Sequence, residues 1–452
     1  MRILFPSTLR AELRANLALA LPLLAAQLLF ISMGTVDTIV AGRLGAAPLA
    51  AVAVGTNVWF MFFVLFWGLF MAVSPIVAQR LGGGRPAAES GMLLRGVLVL
   101  AALLGVGWMI AMLLLVEPVL GVLQLEPPAH AMARDYLRAI APGAVPFALF
   151  FALRNAAEGF GQTRATLWAG LAGFIVNALL AYGLANGAWG LPALGPRGCG
   201  IATAVAGAAM VLAFVVMYRW HPKLRELELY GRGGWRTGEA TAEVLRLGLP
   251  VALIITAEAW LFLIGALLMA RFGTDAVAAH QIAINFASVT FMVPLSIGMA
   301  TTVRVGTAAG AGDAQAVRLR GLAGIGMGAC FALVSASLMA LLPAAIVALY
   351  TDADGVAARA TGFLYLAALF QLADCVQATA NGALRGIKDT RVPMLITVSA
   401  YWLVGLPLAA TLAFDSDLGP SGIWFGFIGG LAVAAIGLTL RFLRRTRARI
   451  SP

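Results

Sequence analysis

The stretch VAVGTNVWFMFFVLFWGLFM, residues 52–71, carries no charged side chain and decides the class of fold. Crossing the hydrocarbon core of a bilayer takes about 20 consecutive apolar residues, so this stretch is long enough for one helical crossing. A membrane-spanning β-strand would instead alternate between apolar and polar residues over about ten positions. The stretch therefore predicts a transmembrane α-helix, in which the segment satisfies its own backbone hydrogen bonds.

Composition extends this prediction to the whole chain. Of its 452 residues, 61% are hydrophobic and only 11% are charged, and the mean hydropathy is +0.93. Such a chain cannot form a soluble core with a polar surface. We predict an all-α polytopic membrane protein with twelve transmembrane helices. The predicted spans are residues 17–41, 49–79, 92–116, 131–157, 165–185, 200–220, 244–270, 276–303, 321–349, 357–384, 393–414 and 421–443.

The basic residues predict the topology. With both termini in the cytoplasm, 25 of the 31 Lys and Arg residues fall in inner segments and 6 in outer segments. Cytoplasmic loops are enriched in Lys and Arg, so this orientation is favoured. The net charge of +11 is spread along the inner membrane edges, without a folded platform of interleaved aromatic residues. Nucleic-acid binding is therefore not expected.

An internal repeat divides the chain. A shift of 228 positions aligns Pro22 with Pro250 and Asn57 with Asn285, and further matches follow in the same order. Six helices per half is an even number, so both halves enter the membrane from the same side and the repeat is parallel. We predict two six-helix lobes around a central cleft: an N-lobe at 1–220, a cytoplasmic connection at 221–243, and a C-lobe at 244–452 with a basic tail. The major facilitator superfamily has the same organisation, so this reasoning leaves both folds open.

Three acidic residues lie alone inside apolar stretches: Asp37, Glu258 and Asp374. A charged side chain at the bilayer centre costs roughly 2.5 to 3.5 kcal/mol on insertion scales, so each needs a polar partner, a bound ion or a proton. Helical spacing sets Glu258 beside Phe262 and Asp374 beside Phe370. A carboxylate next to an aromatic ring suits a flat organic cation, which gains a cation–π contact of about 0.5 to 2 kcal/mol.

Polar residues recur at helical spacing around two of these positions. One stripe on the tenth helix comprises Gln371, Asp374, Gln377 and Asn381, and one on the eighth comprises Gln281, Asn285 and Ser288. Lipid would not tolerate such stripes, so we expect both to face a wet interior.

Several kinds of site are not expected. The turn at 82–85 has no Lys of the kind that holds nucleotide phosphates, so ATP is not the expected energy source. No cofactor is expected. A membrane-embedded enzyme would need a nucleophile with its base, or a set of metal ligands, and the sequence offers neither.

Four segments carry a resemblance to a known family: TVDTIVAG at 35–42, AHQIAINF at 279–286, MVPLSIGMATTVRVG at 292–306 and GALRGIKDTRVP at 382–393. They closely resemble the multidrug and toxic compound extrusion (MATE) family, in its NorM branch. No single segment is decisive, but the four occur in order and at the right helices. The resemblance spans nearly the whole chain.

This resemblance implies a secondary active antiporter in a bacterial inner membrane, with a role in antibiotic resistance. It would expel cationic amphipathic drugs and dyes in exchange for Na⁺ or H⁺ while the cleft opens alternately to either side. The family's acids map onto Asp37, Glu258 and Asp374, and Na⁺ could bind at the last two. A monomer is expected. The expected support for Asp37 is Asn155, Asn177 and Thr203, and the expected substrate contacts are Gln281, Asn285, Phe262, Phe291, Phe370 and Gln371.

Two departures from the family pattern bear on coupling. Ala181 stands where relatives often carry an acid or amide near Asp37, and Phe370 stands where sodium-coupled relatives carry a tyrosine. A buried carboxylate could carry a proton, whereas two carboxylates with amide oxygens could equally hold Na⁺. Two other functions remain open: a lipid-linked oligosaccharide flippase of the same superfamily, for which a cleft richer in Arg and Lys is expected, and a membrane-embedded enzyme.

Overall fold

The computed structural model describes residues 9–123, 125–231 and 237–447. Within these ranges twelve helices are long and apolar enough to cross a membrane and no strand occurs, which confirms the all-α polytopic fold. Residues 232–236 of the predicted connection and 448–452 of the basic tail lie outside the described residues. The helices are α1 (Leu9–Leu44), α2 (Ala46–Gly82), α3 (Ala87–Val122), α4 (Pro127–Gly159), α5 (Thr163–Asn186), α6 (Pro196–Trp220), α7 (Thr237–Met269), α8 (Thr274–Gly310), α9 (Ala314–Leu341), α10 (Asp354–Gly386), α11 (Arg391–Phe414) and α12 (Pro420–Arg447).

Proline corrects two of the predicted spans. The span at 49–79 is interrupted after Phe70, because Pro75 has no N–H and its ring crowds the carbonyl of Met71. The ninth span, predicted to continue to residue 349, ends at Leu341, and a separate short helix, Pro343–Val347, follows. A residue before proline is disfavoured in the helical region, so the chain turns there.

α11 also differs from a simple helix. It consists of Arg391–Ser399, a π-helical turn at Ala400–Gly405, and Leu406–Phe414. Pro407 follows the turn and cannot donate a hydrogen bond to the carbonyls of Trp402 or Leu403. The turn therefore lies where the ordinary i to i−4 ladder loses a donor. π-turns inside helices often mark functional sites.

Packing groups the described residues into two compact units. The N-unit consists of residues 25–77 and 85–252, and the C-unit consists of residues up to 24, 78–84 and from 253 onward. The start of α1 thus belongs to the C-unit, and the start of α7 belongs to the N-unit. These units are defined by packing and do not test the lobe boundaries predicted from the repeat, which stay a prediction.

The N-unit has an aromatic core. Trp59 of α2 stacks on Trp108 of α3 at 4.4 Å between ring centroids, and Phe66 of α2 also stacks on Trp108 at 4.8 Å. Phe63 meets Phe151 of α4 edge to face at 5.0 Å. Offset and edge-to-face pairs of this kind add about 0.5–1.5 kcal/mol beyond area burial. These contacts fix α2, α3 and α4 against one another.

α10 is the central helix of the C-unit. It packs against α8, α9 and α12, and its C-terminal half from Gln371 onward is almost entirely buried. Small residues permit the close approach: a Cβ on Gly382 would overlap the backbone of Gly298 on α8. Close backbone contact through glycine is a common way of packing helices in lipid. This arrangement places the polar stripe of α10 inside the unit.

Candidate functional site

Glu258 and Asp374 meet in the C-unit. α7 presents Glu258, which is half-buried, and α10 presents Asp374, which is buried with 3% of its surface exposed. The Glu258 carboxylate is the charged neighbour of Asp374. The two acids are 116 positions apart in the sequence, and only the packing of α7 and α10 brings them together. Two carboxylates that repel each other, one buried and one half-buried, favour a shared cation or proton.

A hydrogen-bonded chain leads from α10 to Glu258 through α11. The Gln377 side-chain amide donates to the Tyr401 hydroxyl at 2.8 Å, and that hydroxyl donates to Oε2 of Glu258 at 3.4 Å. Tyr401 is fully buried and lies in the π-helical turn of α11. Tyr401 is therefore a site residue that the sequence analysis missed. The signal available in the sequence was a tyrosine inside an apolar helix, six residues before Pro407.

Aromatic rings flank the two carboxylates. Phe262 of α7 meets Phe370 of α10 edge to face, with ring centroids 5.8 Å apart. Phe427 of α12 meets Phe262 at 5.5 Å, and Trp424 meets Phe370 at 6.0 Å. The rings of Phe262 and Phe370 thus belong to one cluster, and the pairing of each ring with its acid stays a prediction. Phe427 and Trp424 were not predicted, because their part in it depends on how α12 packs.

The two polar stripes have different surroundings. Gln371, Asp374, Gln377 and Asn381 of α10 are all buried, whereas Gln281, Asn285 and Ser288 of α8 are exposed. The expectation that both stripes face a wet interior is therefore wrong for α10, because that helix is enclosed by its neighbours in the C-unit. The side-chain amide of Gln371 donates to the Thr290 hydroxyl of α8 at 3.2 Å, which ties the two helices together.

The remaining predicted substrate contacts are more scattered. Gln281 is exposed on α8, and Asn285 accepts a hydrogen bond from the Tyr350 hydroxyl at 3.1 Å. Phe291 is half-buried on the same helix. No ring contact joins Phe291 to the Phe262 cluster among the described residues. Among the described residues no hydrogen bond or ring contact joins these three side chains to Glu258 or Asp374, and their role as substrate contacts stays a prediction.

Asp37 forms a second polar cluster, in the N-unit. It is buried on α1, and its Oδ2 accepts a hydrogen bond from Thr203 of α6 at 2.8 Å while Oδ1 accepts one from Asn177 of α5 at 3.3 Å. Asn177 also donates to Thr203 at 3.1 Å, and its own Oδ1 has no partner among the described atoms. The predicted grouping of these three residues is present in the structure.

Asn155 does not join that cluster. Its amide donates to the carbonyl of Phe151, one turn earlier on α4, at 2.9 Å. On the other hand, Tyr136 lies near Asp37 and bonds to Thr56 of α2 at 3.2 Å, which the sequence analysis missed. Tyr136 belongs to no recognisable motif, so only the packing of α4 against α2 and α6 could reveal it.

The two clusters offer oxygen ligands and aromatic faces. Carboxylates, amide carbonyls and hydroxyls suit hard monovalent or divalent cations, and rings suit organic cations. Within the described residues no group of three or more His, Cys, Asp or Glu side chains comes together as a metal centre. The arrangement can therefore exchange small and organic cations at carboxylates, with neutral polar groups holding the carboxylates in place.

Comparisons with known proteins agree with this architecture. The MatE family model matches twice, at residues 22–183 and 250–411, so the matches are offset by the same 228 positions as the internal repeat. The chain is 40% identical over 448 residues to multidrug resistance protein PmpM of Pseudomonas aeruginosa, covering 97% of this chain and 93% of that protein. It is 38% identical to the probable multidrug resistance protein NorM of Rhizobium meliloti, covering 96% and 94% of the two chains.

Solved structures show the same fold. An outward-facing multidrug resistance MATE family transporter of the MOP superfamily superposes with a TM-score of 0.87 at 20% identity, covering 97% of this chain and 96% of that one. The eukaryotic MATE transporter AtDTX14 superposes with a TM-score of 0.87 at 18% identity, covering 98% and 100%. With two family matches, relatives near 40% identity and the twelve-helix fold, the chain belongs to the MatE family of transporters, the MATE family that its sequence motifs resemble.

Proposed function

We propose that this protein is a multidrug efflux transporter that exchanges cationic amphipathic drugs and dyes for Na⁺ or H⁺ by alternating access. It acts as a monomer in a bacterial inner membrane, with both termini in the cytoplasm. The names of its relatives, multidrug resistance proteins of similar length, support the substrate class. The excess of Lys and Arg in the inner segments supports the orientation.

The observation that carries the proposal is the joint placement of two acids and two rings. Glu258 and Asp374 are within electrostatic reach of each other, and the Phe262 and Phe370 rings that accompany them on the same helices are in contact at 5.8 Å. The carboxylates attract any cation, and the rings add affinity for a flat organic one. A drug cation and a coupling ion would therefore compete for the same negative charges.

Competition between the drug and the coupling ion for the same carboxylates, combined with alternating access, produces antiport. A buried carboxylate pair is costly when it is ionised and empty, so one occupant or the other is favoured. Entry of Na⁺ or H⁺ would release the drug, and entry of the drug would release the ion. The Asp37 cluster of the N-unit offers a second acid for the same exchange, and we propose that it assists the coupling.

The test is efflux of a fluorescent cationic dye from proteoliposomes under a Na⁺ gradient and, separately, under a proton gradient. We expect at least one gradient to drive efflux. Glu258→Gln or Asp374→Asn should lower the driven rate by about tenfold or more, because each removes a negative charge from the shared site. The matched control is Glu117→Gln, since Glu117 is a half-exposed acid on α3.

Three results would separate the alternatives. Driven efflux that is lost in the Glu258→Gln variant supports coupled antiport and identifies the ion. Driven efflux that survives both substitutions contradicts the role given to the acid pair. No efflux under either gradient would contradict the proposal and favour transport of a different substrate class, such as a lipid-linked oligosaccharide.

A further inference from the structure

Two oxygen atoms of α10 are buried without a hydrogen-bond partner. They are Oδ1 of Asp374 and Oε1 of Gln371, and both residues are at least 97% buried. An unsatisfied buried acceptor costs about 1–3 kcal/mol, and more when it is charged. The residues are three positions apart on one helix, so their side chains lie on the same face. The two oxygens together indicate a site for a bound cation.

The orientation of the Gln371 amide follows from its neighbour. Thr290 has one hydroxyl hydrogen, which it donates to the backbone carbonyls of Phe286 and Ala287 on its own helix, at 3.2 and 2.9 Å. The Thr290 oxygen then accepts from the side-chain nitrogen of Gln371 at 3.2 Å, which satisfies both groups. In this arrangement the carbonyl oxygen of Gln371 has no hydrogen-bond partner.

The same reasoning fixes the Tyr401 hydroxyl. A phenol has one hydrogen to donate and can also accept. Because Gln377 donates to the Tyr401 oxygen, the hydrogen of that hydroxyl remains for Oε2 of Glu258. Tyr401 thus holds one carboxylate oxygen from the α11 side. Gln377 also lies within hydrogen-bonding reach of the Glu258 carboxylate, so α10 and α11 together hold it.

The backbone of α11 holds Tyr401 in this place. The N–H of Leu406 donates to the carbonyl of Tyr401, a bond between residues five apart that defines the π-helical turn. An ordinary α-helical register would move the residues on one side of the turn by about 100° around the helix axis, because each residue turns a helix by that angle. The position of the hydroxyl next to Glu258 therefore depends on the turn.

We propose that Gln371 and Tyr401 complete a Na⁺ site with Glu258 and Asp374, in which Gln371 Oε1 is a ligand and Tyr401 is the positioning residue of Glu258. Hard cations bind several oxygens that converge within a narrow range of distances, so a ligand held at the wrong angle weakens them strongly. A large dye bound also by rings depends less on that geometry.

This inference rests on the proposed function, since it concerns the ion that competes with the drug. The test uses the purified full-length protein at constant pH and a fluorescent dye whose bound fraction is measured directly. Increasing Na⁺ displaces the dye, and the inhibition constant of Na⁺ is calculated with the dye affinity of each variant. We expect Tyr401→Phe and Gln371→Met to raise that constant by about three- to tenfold, as for a lost hydrogen bond or ligand.

Matched variants separate this role from a loss of stability. Tyr218→Phe makes the same chemical change at another buried tyrosine, whose hydroxyl donates to the Leu153 carbonyl of the N-unit at 2.9 Å, and should leave the Na⁺ constant within about twofold. Gln371→Glu keeps an oxygen at the ligand position and should also retain Na⁺ displacement. If Gln371→Met does not fold, the Gln371→Glu and Tyr401→Phe variants still decide the matter.

The outcomes are distinct from those of the efflux test. An unchanged Na⁺ constant in Tyr401→Phe contradicts the positioning role, and a large increase in Gln371→Glu contradicts the ligand role of Gln371. If the wild-type protein exports dye under a proton gradient while Na⁺ displaces none of it, the Na⁺ site is overturned and the efflux function stands. If the wild-type protein exports no dye under either gradient, the efflux function itself fails.

Discussion

The buried acids that the structure describes fall into two groups. Arg154 and Glu158 form one ion pair at 2.7 Å, and Arg304 and Glu12 form another, so each acid has a cation beside it. Asp37 differs, because the hydrogen-bond partners of its carboxylate are an amide and a hydroxyl. A charge compensated by an ion pair has little to offer a ligand, whereas an acid held by neutral groups can still bind a cation. Burial alone therefore does not identify the transport acids.

The ion pair between Arg154 and Glu158 permits a prediction at this scale. Removing one partner of a buried pair typically costs 3–5 kcal/mol, roughly, because the other charge remains without compensation. We expect Glu158→Gln to destabilise the protein by about 3 kcal/mol, since Glu158 also accepts from Thr166 at 3.1 Å. Thermal unfolding of the purified protein in detergent would measure this loss of stability.

The chain offers a matched control for this substitution. Arg85 and Glu89 are also separated by four positions, but their side chains are 61% and 39% exposed and 3.9 Å apart. Exposed pairs contribute about 0–1 kcal/mol, so Glu89→Gln should hardly change the unfolding temperature. Equal effects of Glu89→Gln and Glu158→Gln would contradict the structural role of the buried pair.

At the scale of the helix, α12 packs against α11 through glycine. Gly422, Gly426 and Gly430 recur every four positions on α12, and a Cβ at Gly426 would overlap the backbone of Ala409. We expect Gly426→Ala to destabilise the C-unit by about 1–3 kcal/mol, because the two helices would have to separate. The measurement is thermal unfolding of the purified protein.

Gly326 on α9 provides the control for the Gly426→Ala substitution. It is exposed, and a Cβ there would meet no atom within 4 Å. Alanine in a helix interior is favoured over glycine by about 0.8–1 kcal/mol, so Gly326→Ala should be neutral or slightly stabilising. Destabilisation by both substitutions would indicate that helix packing is not the cause.

The π-helical turn of α11 gives a second prediction for this scale. Pro407→Ala restores an N–H that can bond to Leu403 in the ordinary register, so it should favour an α-helical turn and move Tyr401 away from Glu258. We expect a weaker Na⁺ displacement of bound dye, as for Tyr401→Phe. Na⁺ should displace dye from the Pro407→Ala, Tyr401→Phe double variant no more weakly than from Tyr401→Phe alone, because both changes remove the same contact. Additive effects in the double variant would contradict this account of the turn.

At the scale of the whole molecule, the topology can be tested by cysteine labelling in cells. Cys199 and Cys375 are buried and Cys330 is exposed, so Cys330→Ala provides the background. In that background we expect Ser416→Cys, between α11 and α12, to react with a membrane-impermeant maleimide from outside. Gln315→Cys, at the start of α9, should react only after the membrane is permeabilised. The reverse pattern would invert the orientation.

Sequence determined the class, the repeat and the acids of this protein. Twelve apolar segments suffice to predict twelve crossings, since a lipid environment permits few other solutions, and the 228-residue offset recurs in the two family matches. The three isolated acids were also identifiable, because a charge inside an apolar segment is costly wherever the helix packs. These properties depend on local composition and spacing, which a single chain displays directly.

Only the tertiary structure decided which neighbours complete the site. Tyr401 reaches Glu258 because Pro407 removes a helix donor and a π-turn results, and Gln371 is buried rather than facing a wet interior because other helices enclose α10. Asn155 had the right residue type but bonds within its own helix. Helical periodicity gives the face on which a side chain lies. The partner on that face is set by the packing of helices that are distant in the sequence, and no local pattern encodes it.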